Sequence, residues 1–130
     1  MPRLTLGVRI VGGLAANFRP SVAAVQRETR AAVRETGTEH HGELVETAPR
    51  DTGFLASRAR LDFSDDELTY AAGYAEADFT AAGKPFYVRY LHEGTRYIAP
   101  RTWMRDAEAN ARARFTPRLR AGLSRVGRAA

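Results

Sequence analysis

No proline interrupts the chain between Pro20 and Pro49, and apolar or small residues recur there at helical spacing. Val22, Val25, Thr29, Ala32 and Val33 open the pattern, and Leu44, Val45 and Ala48 continue it. A period near 3.6 sustained over this length predicts one long amphipathic helix. Pro20 or Ser21 suits its start, because proline fits the first turn and serine caps it. Pro49 ends it, since the residue before a proline is pushed out of helical geometry. Gly37 and Gly42 each weaken the middle by about 1 kcal/mol relative to alanine and favour a bend near 37–42.

Shorter elements flank this helix. Leu4, Leu6, Val8 and Ile10 alternate with Arg3, Thr5, Gly7 and Arg9, the period of a strand with one buried face, and Gly12-Gly13 ends it. Residues 55–63 and 67–75 predict a hairpin. Leu61 and Phe63 alternate on its first strand, Leu68, Tyr70 and Ala72 on its second, and Ser64-Asp65-Asp66 connects them. Residues 76–85 are small, polar and contain glycine and proline, as a loop or arm would. Residues 86–91 fit either a strand or a short helix, and Gly94-Thr95 breaks them. A last helix is expected from about Thr102, with Asp106 and Glu108 early and arginines late, in the order that suits the helix dipole. Pro117 is expected to divide it from a basic tail. The expected fold is α+β: a small antiparallel sheet packed with a long N-terminal helix and a C-terminal helix. Residues 1–115 would form the single domain and 116–130 a basic C-terminal extension.

The charge is unevenly spread. Residues 1–60 carry a net +3, 61–100 a net −4 and 101–130 a net +6. An acidic middle and a basic end suit attraction between copies of the chain or to a charged neighbour. With 44% hydrophobic and 27% charged residues, the chain has the composition of a folded protein, not a disordered one. There is no cysteine, which excludes disulfides and thiolate metal sites. No stretch approaches the roughly 18 apolar residues of a membrane span, and Met1–Gly13 lacks the continuous apolar core of a secretory signal. Residence in the cytoplasm until assembly, with no membrane partner, is the expectation.

A catalytic constellation is not evident. His40 and His41 stand about 100° apart on a helix, do not form a His-Glu-x-x-His pair, and read as solvated helix surface. His92 and Glu93 are neighbours with no nucleophile pattern near them. Asp62, Asp65, Asp66 and Glu67 lack the spacing of a calcium loop and read as a solvated hairpin tip. No glycine loop matches a nucleotide fingerprint. Neither a cofactor nor a metal is expected, and the chain is not expected to be an enzyme. Arg112, Arg114, Arg118 and Arg120 are candidates for contacts between subunits or with DNA phosphates. Phe115 is the only aromatic in 104–130, so no base-stacking platform is evident.

Two segments carry a recognisable pattern. One is Ala48-Pro49-Arg50-Asp51-Thr52-Gly53-Phe54-Leu55-Ala56-Ser57. The other is Tyr87-Val88-Arg89-Tyr90-Leu91-His92-Glu93-Gly94-Thr95, followed by Pro100-Arg101-Thr102-Trp103-Met104 and Ala107. Together they resemble the tailed-phage neck and tail-completion family named after the tenth gene product of a lambdoid coliphage. Its members read Ala-Pro, acidic, Thr-Gly, Leu, Ser, then Tyr-Val-Glu-x-Gly-Thr, then Pro-x-Pro-Phe-Met-x-x-Ala. Val11-Gly12-Gly13-Leu14 also fits, and the resemblance spans roughly residues 8–107. The chain departs from the pattern where Thr102-Trp103 replaces the second proline-aromatic pair and where the glutamate follows His92.

The resemblance implies a siphovirus virion protein at the head–tail junction: a neck, tail-completion or tail-terminator component. It also implies a homo-oligomeric ring, commonly a hexamer, around the DNA channel, with other neck and tail proteins as partners; non-specific contact with genomic DNA is the expectation from the Arg-rich end. Residue by residue, Pro49, Asp51, Thr52 and Gly53 read as a helix-closing turn. Gly94-Thr95 reads as a tight turn that brings the sheet onto the last helix, Glu93 and Pro100 belong to the same structural motif, and Trp103, with Met104, reads as core or interface. A minor tail or adaptor protein on another storey of the neck, a DNA-binding protein using the Arg-rich end, and a phage hydrolase or nuclease are the rival readings. The last requires a convergent acidic or histidine site that the sequence does not display.

Overall fold

The computed structural model describes residues 3–7, 22–49 and 53–129. Its elements, in chain order, are β1 (Arg3–Gly7), α1 (Val22–Thr47), α2 (Phe54–Ser57), β2 (Arg60–Phe63), β3 (Thr69–Gly73), α3 (Glu76–Ala81), α4 (Val88–Glu93) and α5 (Trp103–Ala129). The fold is α+β, with a small antiparallel sheet packed with a long N-terminal and a C-terminal helix. The sheet has the order β1-β3-β2, so β3 is central and both its neighbours run antiparallel to it. The expected helix start at Pro20 or Ser21, residues 8–14, and Arg50, Asp51 and Thr52 lie outside the described residues.

α1 buries one stripe: Val25, Thr29, Ala32, Val33, Thr36, Gly37, His40 and Leu44. The helix is assigned without interruption across Gly37 and Gly42. The reason for glycine at 37 is close approach. A Cβ there would lie 3.1 Å from Tyr70 Cγ, 3.2 Å from Phe63 and 3.3 Å from Leu61, so its absence lets the sheet seat directly on the helix. Tyr70 and Ala72, two apart on β3, are buried, while Thr69 and Ala71 on the alternate positions are half-buried. Buried Thr29 is satisfied locally, its hydroxyl donating to the Val25 carbonyl at 2.8 Å.

The β2–β3 turn matches the sequence reading. Ser64 N–H donates to the Thr69 carbonyl (3.0 Å), and Ser64 Oγ and Leu68 N–H both donate to Asp66 Oδ1 (2.7 and 3.0 Å). These donors, Ser64 foremost, hold the Asp66 carboxyl below its usual range. Two arginines of α1 clasp the turn: Arg30 donates to the Asp66 carbonyl at 2.9 Å and Arg34 pairs with Glu67. The first strand is shorter than expected. Residues 54–57 form the helical turn α2, in which adjacent Leu55 and Ala56 are both buried, and a strand cannot bury neighbours on one face.

Two further expectations are corrected. Residues 76–85 are not a plain loop, because 76–81 form α3 and Phe79 is fully buried. The Phe79 ring meets Phe54, Phe86 and Tyr87 edge-on at centroid distances of 5.2, 5.1 and 5.3 Å. A single aromatic among small residues anchors what composition alone marks as an arm. Residues 88–93 resolve as helix.

The second correction concerns Pro117, which does not end the last helix, for α5 runs through it to Ala129. The proline forfeits one backbone hydrogen bond. Packing offsets that loss, because Met104, Ala107, Ala111, Phe115, Gly122 and Val126 are all buried and continue one stripe past the proline. The most extensive packing in the fold joins α1 and α5. Glu28 pairs with Arg125, Glu39 with Arg118, and Glu43 accepts from Asn110, so the two helices run antiparallel.

Candidate functional site

The residues singled out from sequence fall into three places. The first is the end of the molecule where α1 stops and α5 starts. Pro49 follows the C-terminus of α1 and is half-buried, and Gly53 opens α2 at φ 81°. Asp51 and Thr52 lie outside the described residues. Trp103 and Met104 are buried in the first turn of α5, and Trp103 Nε1 donates to the Tyr74 hydroxyl at 3.0 Å. The Tyr74 hydroxyl proton is held more tightly than usual, chiefly because burial disfavours the phenolate. An open cavity of about 450 Å³ lies where the two helix ends meet, lined by Glu43, Thr47 and Pro49 on one side and Trp103, Asp106 and Asn110 on the other, with Arg101 and Thr102 beside them. Within it, Asn110 Nδ2 donates to Glu43 Oε1 at 2.8 Å and Thr102 Oγ1 to Asp106 Oδ2 at 3.0 Å.

The second place is the turn between α4 and α5. Glu93 is exposed and pairs with Arg89 one turn earlier at 3.3 Å. Gly94 has φ 79° and ψ 169°, a conformation that side chains other than glycine's resist. A Cβ on it would lie 2.8 Å from the Pro100 ring, so Gly94 and Pro100 close the base of the loop together. Above that base, Thr95 and Ile98 exchange backbone hydrogen bonds (2.8 and 3.3 Å), and Thr95 Oγ1 accepts from the N–H groups of Tyr97 and Ile98 (3.2 and 3.1 Å). Arg101 N–H ties the return to the Leu91 carbonyl at 2.7 Å. Tyr97 and Ile98 nevertheless face solvent.

The third place is the outer length of α5. Arg118 reaches Glu39 (2.5 Å), Glu35 (3.6 Å) and the Thr36 hydroxyl (3.2 Å). Arg114 pairs with Glu39 at 3.7 Å, and Arg112 with Glu108 at 2.8 Å. The Arg118 hydrogen bond holds the Glu39 carboxyl below its ordinary range, and the same bond strengthens the hold of Arg118 on its proton. Arg120 is exposed. Three of the four arginines marked for outside contacts therefore have carboxylate partners within the chain.

The reading of the histidine pair as solvated surface is corrected for His40, which is 1% exposed. Its Nδ1 lies 2.8 Å from the Tyr70 hydroxyl, and the two rings meet edge-on at 5.7 Å. Burial lowers the His40 pKa. Nearby Glu108 and Glu43 partly oppose that shift, and His41 adds to it. Burial likewise raises the Tyr70 pKa. His41 is half-buried, with Nε2 donating to the Ala59 carbonyl at 3.0 Å. The missed signal was spacing: 25, 29, 32, 36, 40 and 44 form one helical stripe, and polar identities at 36 and 40 hid it.

Among the described residues no three His, Cys, Asp or Glu side chains gather as a metal site, and no helix is long and apolar enough to cross a membrane. Comparison of the chain with protein-family models, with curated proteins and with solved structures gives no match in any of the three.

Proposed function

We propose that this protein is a structural component of the head–tail connection of a tailed phage. It would form a neck, tail-completion or tail-terminator ring around the DNA channel and perform no catalysis. The observation that carries this reading is the meeting of the two segments that bear the family resemblance. Pro49 from the first and Arg101, Thr102 and Trp103 from the second line one cavity, although far apart in sequence. The chemistry of these segments is architectural. Gly53 and Gly94 supply turn conformations, Pro100 packs on Gly94, and Trp103 closes the core. The ordered loop 94–100 between them holds large apolar side chains in solvent, as a surface meant for protein contact would. A free DNA-binding protein relying on α5 is less well supported, because Arg112, Arg114 and Arg118 already have carboxylate partners.

The test is negative-stain electron microscopy of particles from a phage lacking this gene. Filled heads lying apart from tails, or tails of abnormal length, are expected. Joined, infectious particles would refute the proposal.

A further inference from the structure

The large apolar side chains most exposed among the described residues are Tyr90, Tyr97 and Ile98, at 56, 86 and 44%. All three belong to α4 and the loop after it. That loop is held in one shape by the Thr95–Ile98 backbone pair, the Thr95 hydroxyl and the Gly94–Pro100 contact, so little conformational freedom would be lost on docking. The Arg96 guanidinium lies 5.4 Å from the Tyr97 ring centroid, and exposed Arg101 follows. Tyrosine and arginine are the residue types that most often dominate protein interfaces. Residues 84–105 carry five cationic side chains and one carboxylate, Glu93.

The chain also carries the complement. Residues 61–83 contain six carboxylates and no lysine or arginine. At the β2–β3 turn, Asp65 and Asp66 are exposed beside half-buried Phe63 and Leu68. Arg30 and Arg34 clasp that turn and offset part of its charge. The two surfaces are separated along α1. The acidic turn is fastened to α1 at Arg30 and Arg34, near the middle of the helix, whereas Arg101 lies beside Thr47 and Pro49 at its C-terminal end. At 1.5 Å per residue, Arg34 and Thr47 are about 20 Å apart along the axis.

We infer that a second copy of this chain occupies the loop. Tyr97, Arg96 and Ile98 of one copy seat on the Asp65–Leu68 turn of the next, head to tail. Complementary patches at two separate places on one chain give a heterologous contact, which propagates and closes when the rotation per copy allows. This deepens the ring reading and rests on it. It also moves the contact away from α5, whose arginines are largely engaged with carboxylates of their own chain.

Sedimentation velocity of the full chain over a concentration series, at low and high salt, tests it. Concentration-dependent association that weakens with salt is expected. Tyr97→Ala, Arg96→Asp and Asp65→Arg should each raise the dissociation constant about tenfold or more. Each should leave thermal melting unchanged, since all three side chains are exposed. Arg96→Asp and Asp65→Arg combined in one chain should restore association, because opposite charges meet again. A chain that stays monomeric throughout, or association indifferent to these substitutions, overturns the contact. The ring reading is judged separately by complementing the gene-deleted phage with the Tyr97→Ala gene. If the deletion blocks joining and the variant restores it fully, the ring reading stands and this contact falls. If the deletion has no effect on joining, the functional reading falls, and the association data still decide the contact.

Discussion

Tyr70→Phe removes one oxygen from the centre of the fold and should be costly for its size. The hydroxyl lies 2.8 Å from His40 Nδ1, and both residues are 1% exposed. His40 Nε2 is buried with no partner among the described residues. Without the hydroxyl, neither ring nitrogen of His40 is hydrogen-bonded, and leaving a buried polar atom unsatisfied costs about 1–3 kcal/mol. The edge-on ring contact at 5.7 Å survives, so the loss reports the hydrogen bond and not the packing. His40→Leu alone strands the Tyr70 hydroxyl instead. The double variant strands neither, and should be more stable than the two single losses together imply, by about 1 kcal/mol or more.

The same residue sets a pH dependence. Burial, the largest cause, holds the folded pKa of His40 below its ordinary value of 6.5. The unfolded chain therefore takes up a proton first as pH falls through that value. Stability is fully present above it and declines below it, with a slope approaching about 1.4 kcal/mol per pH unit, until the lowered folded pKa is reached. Urea unfolding followed by the fluorescence of Trp103, the single tryptophan, at intervals from pH 8 to 5 measures both effects. His40→Leu should remove this contribution to the slope. A Tyr70→Phe midpoint equal to wild type, together with a slope between pH 7 and 5 that His40→Leu leaves unchanged, would refute the reasoning.

Phe79→Ala should destabilise by about 3–5 kcal/mol, because the ring is fully buried among three others. For a chain of 130 residues this lowers the melting temperature by roughly 10–20 °C, readable by circular dichroism. Gly94→Ala should cost about 1–3 kcal/mol, from the backbone strain and the 2.8 Å approach to Pro100, whereas alanine at exposed Gly127, with nothing within 4 Å, should be neutral or slightly stabilising. Arg118→Ala should cost about 1 kcal/mol, the modest figure reflecting the partial exposure of Arg118 and Glu39, while Arg120→Ala changes thermal stability little.

The sequence made the long helix legible because a regular apolar stripe ended at a proline, and the hairpin because Ser64-Asp65-Asp66 carries its own hydrogen-bonding logic. It concealed features that depend on what a residue meets in space. Thr36 and His40 stand on the buried stripe, but a polar residue becomes readable as core only when its partner is known, Arg118 for Thr36 and Tyr70 for His40. Gly37 read as a weak point, yet it is where the sheet comes closest to the helix. Pro117 read as a stop, and the local cost of a proline was outweighed by a stripe that continues through Gly122 and Val126. At the candidate site, the Gly94-Thr95 turn was visible from residue type. The convergence of Pro49 and Trp103 on one cavity was not, because it follows from the antiparallel packing of α1 against α5.

Charge shows the same separation between chain and space. The last thirty residues carry a net +6, which suggests a free basic surface when read along the sequence. In the fold, Arg114, Arg118 and Arg125 face Glu39, Glu35 and Glu28 of α1, and Arg112 faces Glu108 of its own helix. Ion pairs this exposed add little stability each, but they fix which faces of two long helices meet and leave less positive potential for an outside partner. A phosphate approaching Arg112, Arg114, Arg118 or Arg125 must compete with these carboxylates, whereas Arg96 and Arg101, with no ion pair among the described residues, meet no such competition. Whatever binds this protein through its charge should therefore be drawn first to the loop before α5, where cations and exposed aromatic surface coincide, and less to the helix that holds seven of the nineteen arginines.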